Sequence, residues 1–222
     1  MVSTGVRLFA LLAALSLGVV ACAQSPSSAP PTATTTSSVS VNPARIERVR
    51  TALPNGYEVA ALAGRPAPVA FWGLGPDWTA DPPRCGALAD PVGRAATRRG
   101  WSASGAGGIV YAVVADSTGT VEQSVIDECR QWTVSAGHTR GTVAVVAAPA
   151  IDGAVTVGLS TSTTATVEGG TETHSRADTF TAYLGEYVAF VTVVGDPGSP
   201  NPQLGLQFAS DLLVKTVSAL HG

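Results

Sequence analysis

Charge is scarce in this chain of 222 residues: only 13% are Asp, Glu, Lys or Arg, about half of what an ordinary soluble domain carries. Lys215 is the sole lysine, and every other basic residue is arginine. A formal net charge of −3 with no basic run argues against a nucleic-acid partner, whose phosphates call for a concentrated cationic face. Aromatic residues are few, at 6%. Long apolar runs are lacking apart from Leu8–Val20, which excludes a polytopic membrane protein. The hydrophobic fraction of 45% is nevertheless too high for disorder throughout.

Motifs of catalysis are also missing. The run Gly100-Trp101-Ser102-Ala103-Ser104-Gly105 has Ser104 where a GxSxG elbow needs its second glycine. That elbow also requires a strand before the serine and a helix after it, and here the order reads the other way. Gly105-Ala106-Gly107-Gly108 fails GxGxxG because Val110 holds the third glycine's place. His138, His174 and His221 stand neither at helical spacing from one another nor beside a cysteine pair, so neither a metal site nor a cofactor is expected. Asp127-Glu128 and Glu168/Glu172 are carboxylate pairs along the chain only, and acid–base catalysis needs a defined separation in space. The chain therefore reads as non-enzymatic.

What is present begins with an address. Met1–Arg7 carries one arginine, and the thirteen uncharged residues Leu8–Val20 that follow fall short of the roughly 20 needed to span a bilayer. They have the length of a secretory signal. Val19-Val20-Ala21-Cys22 resembles a bacterial lipobox. The resemblance implies cleavage after Ala21, a lipid anchor on Cys22 carrying two or three acyl chains, and a protein held on the outer side of the plasma membrane. An ordinary secreted protein is the alternative. Ala23–Pro43, rich in Ser, Thr, Ala and Pro and free of charge, reads as a tether. The expected organisation is a signal peptide over 1–21, lipidated Cys22 with its tether over 22–43, and one globular domain over 44–222.

With Cys22 assigned to lipid, Cys85 and Cys129 remain as a pair for an oxidising compartment. A redox or nucleophilic thiol is the other reading, but there is no CxxC, and Cys129 lies between Glu128 and Arg130.

The domain itself reads as α+β. Asn42-Pro43 starts a helix bearing Ile46, Val49 and Leu53, and Pro54-Asn55-Gly56 stops it. Expected next are a strand over 57–62, a loop over 66–83, a helix over 85–99 ended by Gly100 and broken at Pro91 and Gly93, a strand over 109–115 and a short helix over 121–129. Strands follow over 131–136, 142–147, 154–164, 171–183 and 187–194, with Gly185-Glu186 turning the last pair. Asn201-Pro202 repeats the helix-start signal. Ala209, Leu212, Leu213, Thr216, Val217 and Leu220 then make one face of an amphipathic helix. The expected fold is an antiparallel β-sheet covered on one face by helices, with that C-terminal helix and one disulfide.

Two groups of residues invite a binding role. Trp72 and Trp78 in the long loop, with Trp101 and Trp132, are candidates to line a cleft for a lipid or glycan, or else to fill the core around the disulfide. Arg94, Arg98 and Arg99, placed at one helix end, would suit anionic headgroups or simply the helix dipole.

Lipobox, tether, the cysteine pair and an Arg-rich, Lys-poor composition together resemble a mycobacterial Lpp/Lpq-type lipoprotein. The segments CRQWTVSAGHTRGTV, VEGGTET, AYLGEYVAFVTVVGDPGSP and LLVKTVSAL are similar to uncharacterised lipoproteins of that group. More remotely, the disulfide-bonded layout resembles the extracellular sensor domains of mycobacterial serine/threonine kinases, which implies a ligand held in a cleft. Neither resemblance supplies catalytic residues. The expectation is an envelope protein, anchored to the membrane through Cys22, that binds a small apolar or amphipathic ligand such as a lipid or glycan. Alternatives are a module docking another envelope protein, or a hydrolase using His138 or His174.

Overall fold

The computed structural model describes residues 40–222 except 63, 65, 94–96, 118 and 196–197. The signal segment, Cys22, the tether up to residue 39 and Arg94 lie outside the described residues.

From Arg98 to Gly195 most of the chain alternates apolar and polar residues, and each alternation becomes a strand. The strands are β1 (Glu58–Ala61), β2 (Thr79–Asp81), β3 (Arg98–Gly105), β4 (Gly108–Asp116), β5 (Gln131–Ala136), β6 (Thr139–Val146), β7 (Val155–Thr166), β8 (Glu172–Leu184) and β9 (Tyr187–Gly195). They form one nine-stranded sheet in the order β1-β3-β4-β9-β8-β7-β6-β5-β2. Every pairing is antiparallel. β8 and β9 meet through Gly185-Glu186, with Leu184 opposite Tyr187 and Gly185 at φ 70°, where a side chain would be strained.

The unbroken apolar run of β9 is explained by cover on both faces. Ala189, Val191 and Val193 face the C-terminal helix, and Val188 and Phe190 face a second core. On the first face lie α4 (Leu206–His221) and a 3₁₀ helix, Pro43–Ala52. Ile46 and Val49, three apart, share one side of that tight helix and are buried. Asn42 caps it, its Oδ1 accepting from Ala44 N at 3.1 Å, while its own N–H donates to Leu220 O at 2.9 Å. Trp101 Nε1 donates to Ile46 O at 3.1 Å and pins this helix to the sheet. Beyond the reach of the helices, the same face projects Thr133, Ser135, Thr142 and Ser162 into water.

The opposite face is covered by the proline-rich segment after β1. It contains α1 (Pro68–Phe71), β2, a 3₁₀ turn Pro83–Cys85 and α2 (Gly86–Ala89). Trp72 anchors it: Nε1 donates to Thr179 Oγ1 at 3.1 Å, and Thr163 Oγ1 donates to Trp72 O at 3.2 Å. The disulfide Cys85–Cys129, with Cα atoms 5.6 Å apart, ties the segment to α3 (Gln123–Glu128).

Three expectations are corrected. Of the helix over 85–99 only α2 forms: the expected break comes at Asp90, with a φ of −130° before Pro91 and its Oδ1 capping Gly93 N at 2.9 Å. Arg98 and Arg99 lie in a strand, opening β3 rather than closing a helix. Gly100 is no helix terminator: a Cβ there would stand 2.5 Å from Ala112 O, so glycine permits the close approach of β4. Asn201-Pro202 comes too early, since α4 starts at Leu206 with Gly205 before it.

Candidate functional site

The disulfide joins the end of one short segment to the start of another. Cys85 immediately precedes α2 and Cys129 immediately follows α3, so the bridge fixes these two helices against each other. Arg84 and Glu128, each one residue before a half-cystine, form an exposed ion pair beside it. Asp127 accepts from Arg130 Nη2 at 3.3 Å and from Gln123 Nε2 at 3.2 Å. The Asp127-Glu128 pair is thereby engaged in surface ion pairs.

Between the segments carrying α2 and α3 lies a pocket of about 310 Å³. Ala87, Pro91, Val121 and Val125 give it apolar walls, and Asp90 and Glu122 contribute carboxylates. Asp90 is held by its bond to Gly93 N, and Glu122 Oε2 accepts from Ser124 Oγ at 3.3 Å. Gly119 and Thr120 complete the lining together with Tyr183, which arrives from the end of β8. Tyr183 is only 7% exposed. Burial pushes its hydroxyl up to about 12, and that hydroxyl has no hydrogen-bond partner among the described residues.

The tryptophans do not converge here. Trp72, Trp132 and the partly buried Trp78 pack with the disulfide on one face of the sheet, while Trp101 is fully buried on the other. Trp72 and Trp132 meet edge to face, ring centroids 6.4 Å apart. Their burial assigns them to the core, where Trp72 Nε1 donates to the Thr179 hydroxyl and Trp101 Nε1 to a backbone oxygen. Trp132 Nε1 and Thr161 Oγ1 are buried without partners among the described residues, and neither lines the pocket.

Nor do the histidines line it. His174 Nδ1 lies 3.1 Å from Thr164 Oγ1, its cross-strand neighbour on β7, and His138 sits in the β5–β6 turn. Among the described residues, no three His, Cys, Asp or Glu side chains are grouped to hold a metal ion. One carboxylate is buried elsewhere: Asp178, 7% exposed, accepts from Ser160 Oγ at 2.8 Å. Burial raises its pKa, with the Ser160 bond and the Arg176 charge opposing the rise.

Sequence reasoning passed over Tyr183, Asp90, Glu122, Val121 and Val125. Their one signal was the disulfide. Both half-cystines sit in short stretches of small, apolar and acidic residues, and closing the bridge brings those stretches together.

Comparison with known proteins adds a family and a fold. A family model described as a domain of unknown function, DUF5642, matches residues 42–221. Among solved structures, an uncharacterised protein of Mycobacterium smegmatis, the Rv0999 ortholog, superimposes with a TM-score of 0.61 at 19% identity, over 82% of this chain and 98% of that one. The extracellular domain of PknH from Mycobacterium tuberculosis aligns with a TM-score of 0.41 at 14% identity, over 81% and 93% of the two chains. No curated protein matches. The likeness to the first structure is one of fold.

Proposed function

The chain belongs to the DUF5642 family of domains of unknown function, and on that premise we propose that it is a lipid-anchored envelope protein that carries a small apolar or amphipathic ligand and catalyses no reaction. The observation carrying this reading is the pocket between α2 and α3. Its walls are mostly apolar, and the hydroxyl of Tyr183, a residue only 7% exposed, has no hydrogen-bond partner among the described residues. A volume of about 310 Å³ suits a small molecule rather than a long acyl chain.

The outer-envelope location is supported by chemistry. A disulfide that clamps the pocket walls persists where thiols are oxidised, and the lipobox-like run ending at Cys22 accounts for the third cysteine. Anchoring is tested by Cys22→Ala, which is expected to move the protein from the membrane fraction to the soluble one.

Ligand carriage is tested by native mass spectrometry of protein purified without detergent. The expected result is an adduct of defined mass, released on denaturation and absent when Val125→Trp fills the pocket. Bare protein from every envelope source, wild type and variant alike, would count against carriage.

A further inference from the structure

We propose that the pocket beside Tyr183 takes a small amphiphile whose polar end is a protonated amine. This rests on the ligand-pocket reading and adds the chemical class. The apolar body would lie against Ala87, Val121 and Val125, and the ammonium would meet Asp90, Glu122 and the Tyr183 hydroxyl.

The polarity of the lining carries the argument. Two carboxylates accept hydrogen bonds and cannot donate them while ionised. The Tyr183 hydroxyl can accept and has no partner among the described residues, and the residue carrying it is only 7% exposed. No lysine, arginine or histidine is among the described lining residues, so none of these neutralises the carboxylates. A ligand carboxylate or phosphate would face two like charges in the lining, whereas an ammonium offers three donors where the lining offers three acceptor groups. A metal ion is a poorer occupant, because two carboxylates and a neutral phenol fall short of the oxygen set that a hard cation requires.

The test titrates the full chain, carrying Cys22→Ser so that no acyl chain competes, with hexylammonium, hexanol and hexanoate by calorimetry at low ionic strength. The expected order is hexylammonium tighter than hexanol by about tenfold, with hexanoate weakest. Asp90→Asn with Glu122→Gln should bring hexylammonium down to the level of hexanol while leaving hexanol unchanged, which also reports an intact pocket. Tyr183→Phe should weaken hexylammonium several-fold and leave hexanol as it was. Equal binding of the amine and the alcohol, or tighter binding of hexanoate, overturns the amine assignment and leaves an apolar pocket standing. Failure of all three to bind overturns the pocket reading and this assignment together.

Discussion

The indole Nε1 of Trp72 donates to Thr179 Oγ1 across 107 positions of sequence, and Thr179 Oγ1 in turn lies 2.9 Å from Thr192 Oγ1. One buried hydroxyl thus joins the loop that covers the sheet to the two central strands. Removing a single member strands the others without water. Thr179→Val should destabilise the domain by about 1–3 kcal/mol in chemical denaturation, since it orphans the indole N–H. Trp72→Phe in the Thr179→Val background should cost less than the sum of the two single changes. Strict additivity would show that the hydrogen bond contributes nothing.

Reduction of Cys85–Cys129 should lower stability by about 2–4 kcal/mol, as expected when a loop of this length is released in the unfolded chain. Both cysteines are fully buried, so the native protein should resist mild reductant until it opens. Equilibrium unfolding with and without reductant measures the difference. An unchanged midpoint would mean that the packed core alone holds α2 against α3.

Asp178 sets a pH dependence. Its folded pKa is raised above the ordinary 3.8, chiefly by burial. The folded state therefore binds this proton more readily than the unfolded chain does. The contribution to stability is full below the ordinary value and is lost as pH climbs through the folded pKa. Asp178→Asn, which can still accept from Ser160, should raise the melting temperature at neutral pH and flatten the slope above the ordinary carboxylate range. A lower melting temperature at neutral pH would sink this account.

Gly100→Ala is expected to be disruptive although it adds one methyl group. The new Cβ would press on Ala112 O and on Val113, both part of the β4 backbone ladder or its core side chain. A loss of about 1–3 kcal/mol is expected. Gly56→Ala meets no such neighbour, and its cost comes from a φ of +85° instead. Comparing the two melting curves separates crowding from backbone strain.

Strands were most legible from Gln131 onward, where apolar faces recur along the chain. Gln131–Ala136 and Tyr187–Gly195 follow directly from alternation and from an apolar run, and α4 from its periodic face. The segment over 85–99 was legible to its break at Pro91 and misled beyond it, where Arg favours a helix but a strand forms. Arg98-Arg99-Gly100 looked like a helix end, yet Trp101 and Ala103 bury on one side and make it a strand. The tryptophans illustrate a further limit. Their rarity drew the eye, but rarity cannot tell which face of a sheet a residue will take, and Trp72 and Trp101 took opposite ones. Tyr183 was hidden for the converse reason: it is an ordinary member of a strand pattern, and only the disulfide, formed through residues far away along the chain, builds a pocket against it.

The bond from Asn42 N–H to Leu220 O makes the domain close on itself. The fold behaves as a ring whose opening happens to fall between those two residues. Its contacts are indifferent to where the ring is cut, provided the cut spares the sheet. A permuted chain, joined across that opening and begun instead at the exposed Gly169-Gly170 turn, should assemble the same strand order. Loss of that order in the permutant would mean that assembly depends on the sequence in which strands emerge, and not only on their final neighbours.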